Sequence, residues 1–217
     1  MKRLLFSLFA LLAVVSAQAR PTQKSITSPD GSLTVTVTID KDIRWSVKDA
    51  SQTIIAPSQI AMQIGENETW GVNPVLRKAT TGSINERIPS PLYKKAEVED
   101  NCTTLTLTFK GDYAVEIRAY EYSNLGVAYR FISRVEGDYT VTDELAEFAF
   151  GGEEVAWIPY TNFRPDATSD YATQFETSFE NTYTKTAIKD IDPRRLIFTP
   201  VVVDCPNRNN GLLKVAI

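Results

Sequence analysis

The chain has 217 residues with 43% apolar content and a formal net charge of −4, an ordinary globular composition that supplies core for one domain rather than two. An acidic chain with no basic run is a poor polyanion binder, which excludes nucleic acid as a partner class. It contains no histidine and only two cysteines, Cys102 and Cys205, so the commonest general base and the usual zinc ligand sets are missing.

In chain order, "MKRLLFSLFALLAVVSAQA" sets Lys2 and Arg3 before an apolar run and closes on Ala17-Gln18-Ala19. A basic start, an apolar middle and small residues at the cleavage positions describe an export signal. Cleavage near Ala19 predicts a periplasmic or secreted chain beginning at Arg20, about 200 residues long and with no membrane segment left.

Ser28-Pro29-Asp30-Gly31 reads as a turn, and Leu33 to Ile39 alternates apolar residues with threonine, the pattern of a half-buried strand. Ile43 to Lys48 repeats the alternation after the acidic Asp40 to Asp42 turn, which predicts an antiparallel hairpin. "SQIAMQIG" and "NPVLRKATTGSINERI" continue as shorter strands, broken at Gly65, Gly71 and Gly82. Thr104–Lys110, Tyr113–Tyr122 and Gly126–Ser133 predict a three-stranded meander with turns at Gly111-Asp112 and Ser123-Asn124. Shorter strands follow in "TVTDELAEFAF" and "EVAWIPY". Residues 161–192 are polar and aromatic-rich without a sustained period, with one short helix expected around Tyr171 to Phe179. "RRLIFTPVVVD" and "GLLKVAI" return to strand, joined by a hairpin turn at Asn209-Asn210-Gly211. The prediction is one all-β sandwich without repeats or a second domain.

Few constellations point to chemistry. Asp143, Glu144 and Glu147 cluster in sequence, as do Glu153 and Glu154. Paired carboxylates can hold a cation or hydrolyse sugars, but alternate strand residues point to opposite faces, which favours solvated strand ends. The D-x-D pairs Asp40/Asp42 and Asp190/Asp192 lack the rest of a calcium loop and read as turns. Asn67-Glu68-Thr69 and Asn101-Cys102-Thr103 match the short N-glycosylation pattern. In an exported chain Cys102 and Cys205 could form a disulfide; the alternative is two buried small hydrophobes. Late aromatics (Trp157, Tyr160, Phe163, Tyr171, Phe175, Phe179, Tyr183) either stack on sugars or pack the long segment against the sandwich. Packing is the expectation for the group, with Trp157 and Tyr160 as the carbohydrate-contact candidates.

Four stretches, in order and at similar spacing, resemble one known arrangement: "SPDGSLTVTVTID", "YAVEIRAYEYSNLGVAYRF", "YTVTDELAEFAFGGEEVAWIPY" and "FTPVVVDCPNRNNGLLKVAI". The carriers include Arg118, Gly126, Val127, Ala128, Tyr129, Arg130 and Phe131, then Ala156 to Pro159. Together they are similar to the N-terminal domain of glycoside hydrolase family 97. The resemblance implies a β-supersandwich of the galactose-mutarotase-like kind that packs in cis on a catalytic (β/α)-barrel. It also implies an enzyme acting on oligo- or polysaccharide as a calcium-dependent α-glucosidase or α-galactosidase, of inverting or retaining geometry. In the family this domain lends the calcium site one glutamate, just after its last strand. The chain ends at Ile217, where that segment would begin, so no catalytic or metal residue is carried onto it and the barrel is expected to be absent. On this reading the chain needs no cofactor and is inactive alone, the wall of a sugar pocket. The competing reading is a free-standing carbohydrate-binding module using Trp157 and Tyr160. Mutarotation, which the fold alone suggests, pairs a histidine with a glutamate, and this chain has no histidine.

Overall fold

The computed structural model describes residues 20–50, 52–121, 126–162, 171–177, 181–205 and 213–217. The expected export signal at 1–19 and the turns at Ser123-Asn124 and Asn209-Asn210-Gly211 lie outside the described residues.

The protein is an all-β sandwich of three sheets. The first contains β1 (Thr22–Thr27), β2 (Thr34–Ile39), β3 (Ile43–Lys48), β4 (Thr53–Ile64), β5 (Glu68–Trp70) and β10 (Val141–Ala146), in the order β1-β2-β3-β4-β10 with β5 also on β4. The second is β6 (Leu76–Pro89), β7 (Glu97–Phe109), β8 (Tyr113–Tyr120) and β9 (Val127–Ser133), in sequence order. The third, smaller sheet has the order β12-β11-β13-β14, from Thr184–Ala187, Val155–Ile158, Val202–Cys205 and Leu213–Ala216 respectively.

Alternation explains the large sheets. In β2 every second residue is buried, and its partner β3 buries Ile43, Trp45 and Val47, so the β2–β3 hairpin presents one apolar face inward. In β7, Leu105, Leu107 and Phe109 face the same way, opposite Ile117 and Val115 of β8. The two faces meet through aromatic contacts. Trp45 lies 5.6 Å from Tyr129, and Trp70 stacks on Tyr113 at 5.2 Å. Residues from all three sheets join one hydrophobic cluster that includes Ile158, Val203 and Leu213 of the small sheet. The motif around Arg118 follows from this pleat. Val127, Tyr129 and Phe131 pack against the core, while Arg130, one position out of phase, turns outward.

The expected meander is present as β7–β8–β9, and Gly111 and Asp112 (φ 98° and 56°) make the turn between its first two strands. Gly71 earns its place by space as well as conformation. At φ 94°, an added Cβ would lie 2.6 Å from the Ile60 carbonyl oxygen, a separation no side chain tolerates.

Other expectations need correction. Gly82 does not break a strand: β6 runs straight through it for 14 residues. As a sheet edge, β6 is exposed along most of its length on both faces, so no apolar period marks it as one strand. Gly65 does end β4, but β4 extends for 12 residues. The segment 161–192 contains an unforeseen strand, β12, paired with β11. It also holds a 3-10 helix at Tyr171–Glu176, where the short helix was expected; positions 178–179 lie outside the described residues.

No disulfide joins the two cysteines. Cys102 sits in β7 of the second sheet and Cys205 in β13 of the third, both buried. Cys205 joins the hydrophobic cluster, whereas the Cys102 thiol donates to Asp100 at 3.8 Å, and burial pushes that thiol above its ordinary range.

Candidate carbohydrate-facing surface

The two candidate aromatics belong to one short run yet end in opposite environments. Trp157 lies in β11, whose alternation sends Ala156 and Ile158 inward and Trp157 outward. Its side chain is 38% exposed. Tyr160, just past the strand, is 5% exposed and belongs to the core cluster. The Arg195 guanidinium covers its ring at 4.0 Å from the centroid, and its hydroxyl accepts the Asp192 N–H at 3.1 Å. A ring buried this deeply beneath a cation has no face to offer a sugar, so Tyr160 is a packing residue. The two candidates do not form a joint surface.

Around Trp157 the antiparallel register assembles polar groups distant in sequence. Lys185 of β12 lies directly opposite, with its ammonium 5.3 Å from the ring centroid. Asp204 of β13 accepts the indole N–H at 3.3 Å and pairs with Lys214 of β14. The Lys214 hydrogen bond, aided by the indole N–H, holds the Asp204 carboxyl below the usual carboxylate range. The outcome is an indole fixed at its nitrogen by the Asp204–Lys214 pair, with the Lys185 ammonium over one face of its ring.

Most other late aromatics remain outside. Tyr171 and Phe175 meet edge to face at 5.8 Å, but Phe175 is 68% exposed, and Tyr183 is exposed too. Packing of the aromatic group against the sandwich is therefore confined to Tyr160 among the described residues; Phe163 and Phe179 lie outside them. What ties the segment down is Gln174, which sequence reasoning missed. Fully buried, its side chain donates to the Arg194 carbonyl at 2.7 Å and accepts the Leu196 N–H at 2.8 Å. A lone glutamine in a polar run carries no local sign of that role.

The carboxylates do structural work. Glu154 is buried and accepts the N–H groups of Gly151 and Gly152 at 3.0 and 2.6 Å, closing the turn before β11. Glu147 accepts the Gln59 N–H at 2.6 Å, and Asp143 the Glu144 N–H at 2.9 Å. Asp42 and Asp192 pair with Arg44 and Arg194 two residues on. Burial, aided by the neighbouring Glu144 carboxylate, pushes the Tyr129 hydroxyl up to about 12. Among the described residues, no three Cys, Asp or Glu side chains converge as a metal site would need.

On the outward face of the second sheet, Arg118 donates to Asp100 and Glu116, both at 3.0 Å, and Glu116 also accepts from Arg130 at 2.9 Å. Every charge in that network faces an opposite one, and such partly exposed pairs add about 1 kcal/mol or less each. A cleft of about 320 Å³ opens where Trp45, Val47 and Phe148 approach Leu213, Val215 and Ile217. Apart from Lys214 its lining side chains are apolar and continuous with the core, while backbone groups give it a polar share. The nearby Trp45 indole N–H has no hydrogen-bond partner among the described residues.

Comparison with known proteins bears on this geometry. A family model described as glycosyl-hydrolase 97 N-terminal matches residues 26–217. A retaining alpha-galactosidase of Bacteroides thetaiotaomicron is 38% identical over 204 residues, spanning 94% of this chain and 30% of the relative. The chain thus spans under a third of that curated relative. Among solved structures, a glycoside hydrolase family 97 enzyme of a Pseudoalteromonas species, in complex with panose, aligns with a TM-score of 0.64 at 21% identity. That alignment covers 83% of this chain and 26% of the enzyme. A beta-arabinopyranosidase aligns with a TM-score of 0.67 at 18% identity, over 83% of this chain and 29% of its own. At such identities the structural likeness speaks for the fold alone.

Proposed function

The chain belongs to the glycosyl-hydrolase 97 N-terminal family, and from that premise we propose that it is the non-catalytic β-sandwich domain of an exported glycoside hydrolase. The enzyme would be of the α-glucosidase or α-galactosidase type. The domain would pack in cis on a (β/α)-barrel and shape one wall of its sugar pocket. The observation that carries this reading is the alignment with the retaining alpha-galactosidase, which takes in 94% of this chain but only 30% of the relative. The chemistry within the chain agrees with it. The chain has no histidine. The buried carboxylate Glu154 is consumed by backbone N–H groups rather than directed at a cavity.

Calcium belongs to the proposal for the full enzyme only. No described group of carboxylates fits the ion, so no step is assigned to it in this chain. Export rests on the Lys2-Arg3 start, the apolar run and Ala17-Gln18-Ala19, and a mature product beginning at Arg20 by mass spectrometry is the expected result.

The test of the domain reading is an assay of the purified chain on nitrophenyl α-glucoside and α-galactoside, with and without calcium. No turnover is expected, and turnover above background would overturn the reading.

A further inference from the structure

We propose that the outward face of the β12-β11-β13-β14 sheet is a saccharide-binding surface, with Trp157 as its stacking platform and Lys185, Asp204 and Lys214 as its hydrogen-bonding groups. The register places Lys185, Trp157, Val202 and Ala216 in one row across the four strands. Asp204 and Lys214 lie opposite each other in the adjacent row. Trp157 therefore rises from a floor of small side chains such as Val202 and Ala216. Among the described residues it is the only aromatic that the register puts on this face, which it shares with Val155 and Val202.

Three features select a sugar as the occupant. A pyranose offers an apolar C–H face to an electron-rich ring, and the partly exposed indole supplies that ring. The hydroxyls at the sugar's rim require both donors and acceptors. The Lys185 and Lys214 ammonium groups donate, and the Asp204 carboxylate accepts. Finally, the ring is oriented in advance, because Asp204 holds the indole N–H and is itself held by Lys214, which lowers the ordering cost of binding. A docked protein would call for a broader apolar centre. One indole, with the Lys185 ammonium over one face of its ring and the Asp204–Lys214 pair at its edge, leaves its other face to a neutral, hydroxyl-rich ligand.

The inference rests on the hydrolase-domain reading only for its choice of sugars, panose and methyl α-galactoside. The chain has three tryptophans, so a nitrogen-15 NMR titration can follow Trp157 separately from the buried Trp45 and Trp70. Saturable movement of the Trp157 indole peak, with the other two still, is the expected result. Trp157→Ala should weaken binding at least about tenfold, as loss of an aromatic anchor does, and Trp157→Phe should retain part of it. Asp204→Ala, which frees the ring, should move the Trp157 peak even without sugar and weaken binding several-fold.

A Trp157 peak unmoved by either sugar would overturn the proposal, as would binding that survives Trp157→Ala. So would a peak that ignores sugar and moves only when the rest of a family enzyme is supplied, which would make the face a protein contact. None of these results touches the domain reading, which stands or falls on the turnover assay.

Discussion

Trp70 and Trp157 carry the same chemistry in two regions of the molecule. Each indole N–H is held by a carboxylate, from Glu68 at 2.9 Å in one case and from Asp204 at 3.3 Å in the other. Yet Trp70 is 2% exposed while Trp157 keeps more than a third of its surface in solvent. The difference lies in what is opposite. Trp70 projects from the first sheet onto the second, where Tyr113 stacks on it with nearly parallel planes and Phe131 and Tyr139 close around it. Trp157 projects from the third sheet away from the shared core, and only Lys185 approaches its ring among the described contacts. A hydrogen-bonded indole is a stability element where a second layer covers it and a surface element where none does.

The most forceful way to break this comparison is to truncate both rings. Trp70→Ala should cost about 3–5 kcal/mol, the usual range for a large aromatic lost from a core. Trp157→Ala should cost under about 1 kcal/mol, as surface changes do. Urea unfolding of the two variants checks the pair, and equal losses would show that the regions are not the two classes described.

A second test sharpens the buried side. The Gly71 N–H donates to the Tyr113 hydroxyl at 3.1 Å, directly beside Trp70. Gly71→Ala would force a Cβ against the Ile60 carbonyl at a φ that disfavours side chains. A loss of about 1–3 kcal/mol is expected by thermal or urea unfolding, with weakened near-UV dichroism from the displaced stack. No equivalent substitution on the Trp157 face should have such an effect.

The smallest effect is electrostatic and confined to the exposed side. Asp204 has a depressed pKa in the folded chain, so its stabilising pairing is fully present above the ordinary value of 3.8 and is lost as pH falls through the lower folded value. The Trp157 indole signal should therefore hold steady to below pH 3.8 and shift only as Asp204 protonates. A midpoint above that value would mean that Lys214 does not hold the carboxylate.

Legibility in the sequence followed the same divide. The β3 strand begins and ends where its alternation does, at Ile43 and Lys48, and β8 and β9 come close to theirs, because one face of each is sealed by the opposing sheet. By contrast, β7 begins at Glu97, well before the expected Thr104. β6 was misread as interrupted because both its faces are largely exposed and leave no period to read. β12 was invisible for a related reason, since "TKTA" has too little apolar content to announce a strand and owes its place to pairing with β11. The candidate surface was half legible. Trp157 could be singled out as an aromatic in a short strand, but Lys185 and Asp204 reach it only through two strand registers. Tyr160 could be named but not assessed, because the Arg195 that covers it comes from a segment without periodic signal.

By itself, then, the sequence determined the all-β class, most strand positions and, through the order of its motifs, the family. Those properties are local or nearly so: a period of two residues along a strand, turn residues between strands, and short motifs in a set order. Only the tertiary structure decided which aromatic stays in solvent, which carboxylates are spent on backbone N–H groups, and that Cys102 and Cys205 lie apart. Such outcomes depend on which strands become neighbours and which face receives a second layer. These are long-range pairings, and no short stretch of residues encodes them alone.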